Sequence, residues 1–161
     1  MKMEMIDDIL APRDTMLVKF QGKNPFVPVQ MATGLLREIL KISAKDILET
    51  EVKWDNSSEM RNFYGKWMGK RHEDQWTDTW IRIVIQGEQH AKERTGWCNI
   101  EIKGTIRTKY NMGNFLQRMF WWFYNHTFYY KQRRMYAEQG KDMIYEIRDK
   151  YMSALGIAPK E

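Results

Sequence analysis

The sequence has little cysteine and no long apolar run. Cys98 is the single cysteine in 161 residues, which excludes an intramolecular disulfide framework, and the histidines around it lack the spacing of a zinc site. The apolar runs are too short and too interrupted to span a bilayer. Residues 1–8 contain acids and no apolar core of signal-peptide length. We therefore expect a cytoplasmic protein.

Acidic residues are absent from one long segment. Residues 102–137 contain no Asp or Glu, although they include seven Lys or Arg and 11 of the chain's 22 aromatic residues. The net charge of the chain is +5, so the other residues sum to −2. The basicity is therefore local, and it coincides with the aromatic side chains.

The length and composition suit one folded domain. At 161 residues most apolar surface can be buried in a single core. The proportions of 29% charged and 43% hydrophobic residues are typical of a globular protein and not of a disordered one. We expect a flexible N-terminal tail over residues 1–14 and a single α+β domain over residues 15–156, with a C-terminal helix from about residue 114.

Hydrophobic periodicity predicts the elements of this domain. Residues 16–20 are β-prone, and Pro28 opens a helix with one apolar face. The period then changes to two in strands between residues 47 and 109, where Gly65 and Gly69 predict a bulge or a close backbone approach. The predicted apolar face of the helix consists of Val29, Ala32, Leu36, Ile39 and Leu40. In the strand over residues 76–86 it consists of Thr77, Thr79, Ile81, Ile83 and Ile85, and in the strand over residues 97–109 of Cys98, Ile100, Ile102 and Ile106.

The aromatic segment is predicted to be a helix that begins after Asn114, a good N-cap residue. At 100° per residue the larger apolar half, expected to face the core, consists of Phe115, Leu116, Met119, Phe120, Trp122, Phe123, Tyr129 and Tyr130. A second stripe continues from Met143 to Leu155, and Gly156 ends it. A single helix from Asn114 to Leu155 would have 42 residues and extend roughly 63 Å. We expect a bend near Gly140 or an overhang that meets a second subunit.

The order of elements resembles the helix-grip superfamily of START, Bet v 1 and polyketide-cyclase-like proteins. The matching residues are 16–20, 29–40, the strands from 47 to 109 and the helix from Asn114. The resemblance implies a curved antiparallel sheet around a long C-terminal helix, with a cavity for an apolar ligand. It rests on element order, and about five strands are predicted where that superfamily usually has seven.

Two groups of residues are candidate sites. A cavity for an apolar or aromatic, lipid-like molecule between the sheet and the C-terminal helix would be lined by Trp54, Phe63, Trp67, Trp122 and Phe123. Ordinary core packing by the same residues is the alternative. No catalytic motif stands out, and we expect no metal, no cofactor and no evident catalysis. His72, His90 and His126 lack ligand spacing.

The second group lies on the opposite side of the aromatic helix. It consists of Trp121, Tyr124 and Phe128, with Lys131, Arg133 and Arg134 near them. Three interpretations stay open: a homodimer interface with a basic rim, an anionic membrane surface, and single-stranded nucleic acid stacked on the aromatic rings. Among the partners, an apolar small molecule and a second copy of the chain are expected, with a membrane surface or nucleic acid as alternatives.

Overall fold

The computed structural model describes residues 2–55, 57–111 and 113–157. It has an α+β architecture, as the sequence predicts, with an open antiparallel sheet of six strands and a long C-terminal helical segment. The elements in chain order are β1 (Lys2–Asp8), β2 (Met16–Lys23), α1 (Val27–Leu40), a 3-10 turn (Ala44–Asp46), β3 (Ile47–Asp55), β4 (Met60–His72), β5 (Thr77–His90), β6 (Thr95–Asn111), α2 (Phe115–Tyr124), a π segment (Asn125–Tyr129) and α3 (Tyr130–Leu155).

The sheet has the order β1-β6-β5-β4-β3, and β2 also pairs with β6. Strand β6 is 17 residues long, and two short strands share its free edge. Residues 16–23 of β2 pair with residues 95–102, and residues 2–8 of β1 pair with residues 105–111. Strand β6 therefore pairs with β5 along one side and with both β1 and β2 along the other.

The flexible tail predicted for residues 1–14 is wrong for residues 2–8. These residues form β1 and pair in register with β6, from Lys2 opposite Asn111 to Asp8 opposite Thr105. Backbone hydrogen bonds to an otherwise unpaired strand edge explain how so polar a segment becomes ordered. Strand β1 is thus the one strand beyond the five predicted from the sequence. Residues 87–96 form the end of the β5–β6 hairpin.

Helices α1 and α3 cover one face of the sheet. The predicted apolar faces of α1, β5 and β6 are confirmed, because Ala32, Leu36 and the isoleucines of both strands are buried. The stripe on α3 contributes Ile144, Ile147 and Tyr151, and the Tyr151 hydroxyl donates to the Pro28 carbonyl at 3.2 Å. The core thus lies between the central strands and the two helices.

The edge strand β3 departs from the predicted alternation. A register shift between Glu49 and Glu51 forms a bulge, so Val52 and Trp54 lie opposite Gly65 and Phe63 of β4. A bulge moves later side chains to the other face of a strand. Leu48, which a regular two-residue alternation would place on the same face as Val52, is therefore on the other side of the sheet.

The C-terminal segment is helical from Phe115 to Leu155, with a π segment in place of the bend predicted near Gly140. Gly140 lies within α3, where a Cβ atom would stand 2.6 Å from the Cδ1 atom of Ile9. This glycine permits close packing. Asn114 caps α2 as predicted, accepting from the Gln117 amide at 2.9 Å. Within the described ranges, no helix combines the length and apolar character needed to cross a bilayer.

Candidate functional site

Helix α2 exposes its larger apolar face, contrary to the core position predicted from its periodicity. None of its ten residues is buried. The exposed fraction is 72% for Phe115, 74% for Leu116 and 74% for Phe120. Of the eight residues predicted to face the core, only Tyr129 does so, and the others that are large, apolar and exposed are Met119, Trp122, Phe123 and Tyr130.

The smaller aromatic side of α2 packs on the sheet. The Trp121 ring stacks on Tyr110 of β6 at 4.2 Å between centroids and meets Trp76 edge to face at 5.0 Å. Tyr124 lies near Trp76 as well, with ring centroids 6.4 Å apart, and stacks on Tyr129 at 6.0 Å. Offset and edge-to-face pairs of this kind stabilise packing beyond the buried area alone. These five rings, here called the aromatic cluster, therefore hold α2 against the body of the protein.

A half-buried carboxylate organises the adjoining turn. Asp74 accepts from the Tyr129 hydroxyl at 2.8 Å and from the Tyr136 hydroxyl at 3.0 Å. It also accepts from the backbone amides of Trp76 and Thr77, at 2.8 and 2.9 Å. Four donors on one carboxylate connect the β4–β5 turn to the π segment and to α3. The Asp74 network, as we call these groups, fixes the point from which α2 projects.

Burial controls the protonation of the two tyrosines in this network. Burial raises the pKa of Tyr129 far above its usual value, and it also raises the pKa of Tyr136. Both hydroxyls therefore stay protonated at neutral pH and act as donors to Asp74. The Tyr129 hydroxyl additionally contacts the hydroxyl of Thr77. The network is a structural element with no nucleophile or free base in it.

An apolar pocket of about 630 Å³ lies between α2 and the β1–β6 edge. Its volume falls in the range of small-molecule sites, which are mostly apolar with a few orienting polar groups. Met5 stands at its β1 side, where its sulfur accepts from the Asn125 side chain at 3.5 Å. The lining residues are Met5, Tyr110, Arg118, Met119, Trp122, Phe123, Asn125 and His126.

Two of the five predicted cavity residues line this pocket, namely Trp122 and Phe123. Trp54, Phe63 and Trp67 lie elsewhere. Phe63 and Trp67 are buried core residues, and Trp54 and Phe63 stack at 6.1 Å. Phe63 is in register with Gly87 and so with Cys98, which is twelve residues from Tyr110 along β6. That separation corresponds to about 40 Å of extended strand. The prediction of one shared cavity is wrong.

The residues predicted to form an exposed interface are divided by the structure. Trp121 and Tyr124 belong to the aromatic cluster, so they serve the fold itself. Arg133 is 8% exposed and pairs with the Asp7 carboxylate at 2.5 Å. Phe128, Lys131 and Arg134 are exposed as predicted. Trp121, Tyr124 and Arg133 therefore contact other parts of the protein, contrary to the prediction that they form a surface for a partner.

The histidines occupy separate places. His72 lies 2.9 Å from Asp78, His90 pairs with Glu59 at 3.7 Å, and His126 contacts the Trp122 carbonyl at 2.9 Å. In the part of the chain that the structure describes, no three His, Cys, Asp or Glu side chains come together in a way that could hold a metal ion. Cys98 is buried, and burial raises the pKa of its thiol to about 11.

Sequence reasoning missed Met5, Tyr110 and Arg118 as pocket residues and Asp74 as the centre of the network. Met5 lies in the segment predicted to be a tail, and Asp74 lies in the turn between β4 and β5. Tyr110 follows the alternating residues of β6 and could have been placed on its inner face. No sequence signal shows that β1 adds to the edge beside it.

Comparison with known proteins gives little guidance. No family model matches the chain, and no curated protein matches it. One solved structure that it resembles is a protein of unknown function from Staphylococcus aureus, at 12% identity, over 87% of this chain and 97% of that one, with a TM-score of 0.27.

Proposed function

We propose that this protein binds an apolar or aromatic small molecule of lipid-like character in the pocket between α2 and the β1–β6 edge. The observation that carries the proposal is the pocket itself: about 630 Å³, lined mainly by Met5, Tyr110, Met119, Trp122 and Phe123. Among the described residues, no group of His, Cys, Asp or Glu side chains that could hold a metal ion accompanies it. The proposed function is binding.

The chemistry of the lining favours a guest that is apolar over most of its length. Methionine side chains are flexible and adapt to irregular apolar shapes, while Trp122 and Phe123 offer flat rings. The three polar lining residues, Arg118, Asn125 and His126, lie on α2 and the π segment. They would orient the polar end of the guest, since a few such groups usually give an apolar pocket its specificity.

We also propose that the fold is a variant of the helix-grip fold. The support is its layout: an antiparallel sheet with a helix after β2, four consecutive strands and a long C-terminal helix across the same face. Six strands stand where that superfamily usually has seven. The pocket lies between the first part of the C-terminal helical segment and the β1–β6 edge of the sheet, and the resemblance implies a ligand cavity between the sheet and that helix.

Titration with a dansyl-labelled long-chain fatty acid tests the pocket. We expect saturable binding of one molecule per chain, weakened roughly tenfold by Met119→Trp, because the larger side chain would occupy the pocket. Met60→Trp is the matched control, since Met60 is 38% exposed at the start of β4 and outside the pocket. Equal affinities for the two variants, or binding that does not saturate, would reject the proposal.

A further inference from the structure

We infer that the exposed face of α2 docks onto an anionic lipid bilayer, with the helix lying in the plane of the membrane surface. This inference concerns a surface that extends beyond the pocket. Leu116 and Phe120, which are among its most exposed side chains, do not line the pocket between α2 and the β1–β6 edge. Docking and pocket binding can therefore be tested separately.

The first observation is the shape of the exposed apolar face. At 100° per residue, Trp122, Phe115, Met119, Phe123, Leu116 and Phe120 occupy an arc of roughly 160°. The opposite side of the helix carries Trp121 and Tyr124, which face the aromatic cluster. A helix of ten residues is about 15 Å long. Such a face is typical of helices that insert their apolar side to the level of the acyl chains while lying flat.

The second observation is the sign of the charge next to this face. From Gly113 to Ala137 the chain contains four bases and no acid. Arg133 is buried and paired with Asp7. The exposed basic groups of this region are therefore Arg118 on α2 and Lys131 and Arg134 on the first turns of α3. Arg134 also pairs with Glu138 at 3.8 Å, and an exposed pair of this kind is weak and easily exchanged for another anion. Basic residues beside an inserted apolar helix are attracted to the negative surface potential of anionic lipids.

The same observations disfavour the other occupants. A second copy would bring Arg118, Lys131 and Arg134 of two chains together. Glu138 pairs with Arg134, but α2 itself has no acid that could pair with the bases of a second copy. Single-stranded nucleic acid requires a basic track along the stacking platform. Helix α2 carries one base in ten residues, and Leu116 and Met119 interrupt its rings. A bilayer suits both the aliphatic and the aromatic side chains.

Docking also gives the pocket a route of entry. Met119, Trp122 and Phe123 belong both to the exposed arc and to the pocket lining. When the arc is inserted, the mouth of the pocket opens at the level of the acyl chains. An apolar guest could then pass between bilayer and pocket without crossing water.

Vesicle flotation tests the inference on the full chain. The probes are phosphatidylcholine vesicles and vesicles in which one lipid in three is phosphatidylserine. We expect binding to the anionic vesicles that decreases with added salt and weakens roughly tenfold in Leu116→Ser, because an inserted leucine contributes through its buried apolar area. Leu48→Ser is the matched control, as Leu48 is 57% exposed on the distant edge strand β3.

A second pair of variants tests the electrostatic part. Lys131→Glu with Arg134→Glu should lower binding to the anionic vesicles at least fivefold, while Lys45→Glu with Lys150→Glu, at exposed sites away from α2, should lower it much less. Equal losses in the two leucine variants would overturn the inference. So would a dimer in sedimentation that Leu116→Ser dissociates without any vesicle binding, or binding to an oligonucleotide but not to vesicles. Loss of fatty-acid binding alone would leave docking intact and would reject the pocket proposal.

Discussion

Replacement of Tyr129 by phenylalanine should destabilise the protein by about 1.5–3 kcal/mol, the usual contribution of a hydrogen bond to a charged group. The Tyr129 side chain is buried, and its hydroxyl donates to Asp74 at 2.8 Å. After the substitution Asp74 keeps three donors, from Tyr136, Trp76 and Thr77. Thr77 keeps its hydrogen bond to Thr108 at 2.9 Å. The loss is therefore that of one hydroxyl and not of the whole network.

Urea unfolding followed by circular dichroism measures this loss as a lower midpoint at constant slope. The adjacent Tyr130 is exposed, so Tyr130→Phe provides the control and should change the unfolding free energy by less than about 0.5 kcal/mol. A double-mutant cycle of Tyr129→Phe with Asp74→Asn should give a coupling of about 1–3 kcal/mol, because the two groups contact each other directly.

Two results would refute this reasoning. The first is a Tyr129→Phe variant as stable as Tyr130→Phe. The second is a cycle in which the Tyr129 and Asp74 substitutions are additive, since additivity is the behaviour of independent sites. Either result would mean that the Asp74 network does not hold the π segment against the β4–β5 turn. The position of α2 would then depend on the aromatic cluster alone.

Three further predictions concern the fold. Gly65→Ala should destabilise by about 1–3 kcal/mol, because its Cβ would meet the buried Trp67 ring, whereas Gly34→Ala, in open space on α1, should stabilise by about 0.5–1 kcal/mol in thermal unfolding. Ile144→Ala should cost about 2–5 kcal/mol in urea unfolding, since Ile144 is completely buried between α3 and the sheet. The unfolding free energy should decrease as the pH rises from 9.0 towards 11, because the pKa of the Cys98 thiol is near 9.0 in the unfolded chain and about 11 when the thiol is buried. For the same reason a thiol reagent should leave the native protein unmodified at pH 8.

The elements that could be predicted from the sequence are those that local periodicity specifies. Ile81, Ile83 and Ile85 alternate with polar residues and are buried, and the same holds for Ile100 and Ile102 of β6. Each of these strands carries its own signal. Strand β1 carries none, because Lys2 to Asp8 are ordered by pairing with residues that lie 97 to 109 positions away in the chain.

The site was predicted less well for the same reason. Trp122 and Phe123 were identified by residue type, yet their pocket is completed by Met5 and Tyr110, which only the sheet topology brings close. Arg133 was expected at the surface because arginine usually is. It is buried because β1 places the Asp7 carboxylate 2.5 Å from its guanidinium group. Contacts made by β1, which the sequence does not predict, therefore account for the incomplete pocket and for the burial of Arg133.

The face that α2 turns to the protein follows from the stripe on α3 and the π segment between them. Buried residues at Tyr136, Met143, Ile147 and Tyr151 define one side of α3. A π helix is wider than an α-helix, so each residue turns by about 80° and not 100°. Over the five residues of Asn125–Tyr129 the phase of the helix therefore falls behind by about 100°.

A continuous 100° period places Tyr129 and the α3 stripe on the side of the larger aromatic half. When the smaller rotation per residue in the π segment is taken into account, the buried stripe of α3 lies on the same side of the helical segment as Trp121 and Tyr124 instead. These are the α2 residues that pack against Trp76 and Tyr110. Because α3 has many buried residues and α2 has none, packing of α3 fixes the rotation of the whole segment. The larger aromatic arc of α2, including Phe115 and Phe120, is thereby directed away from the sheet.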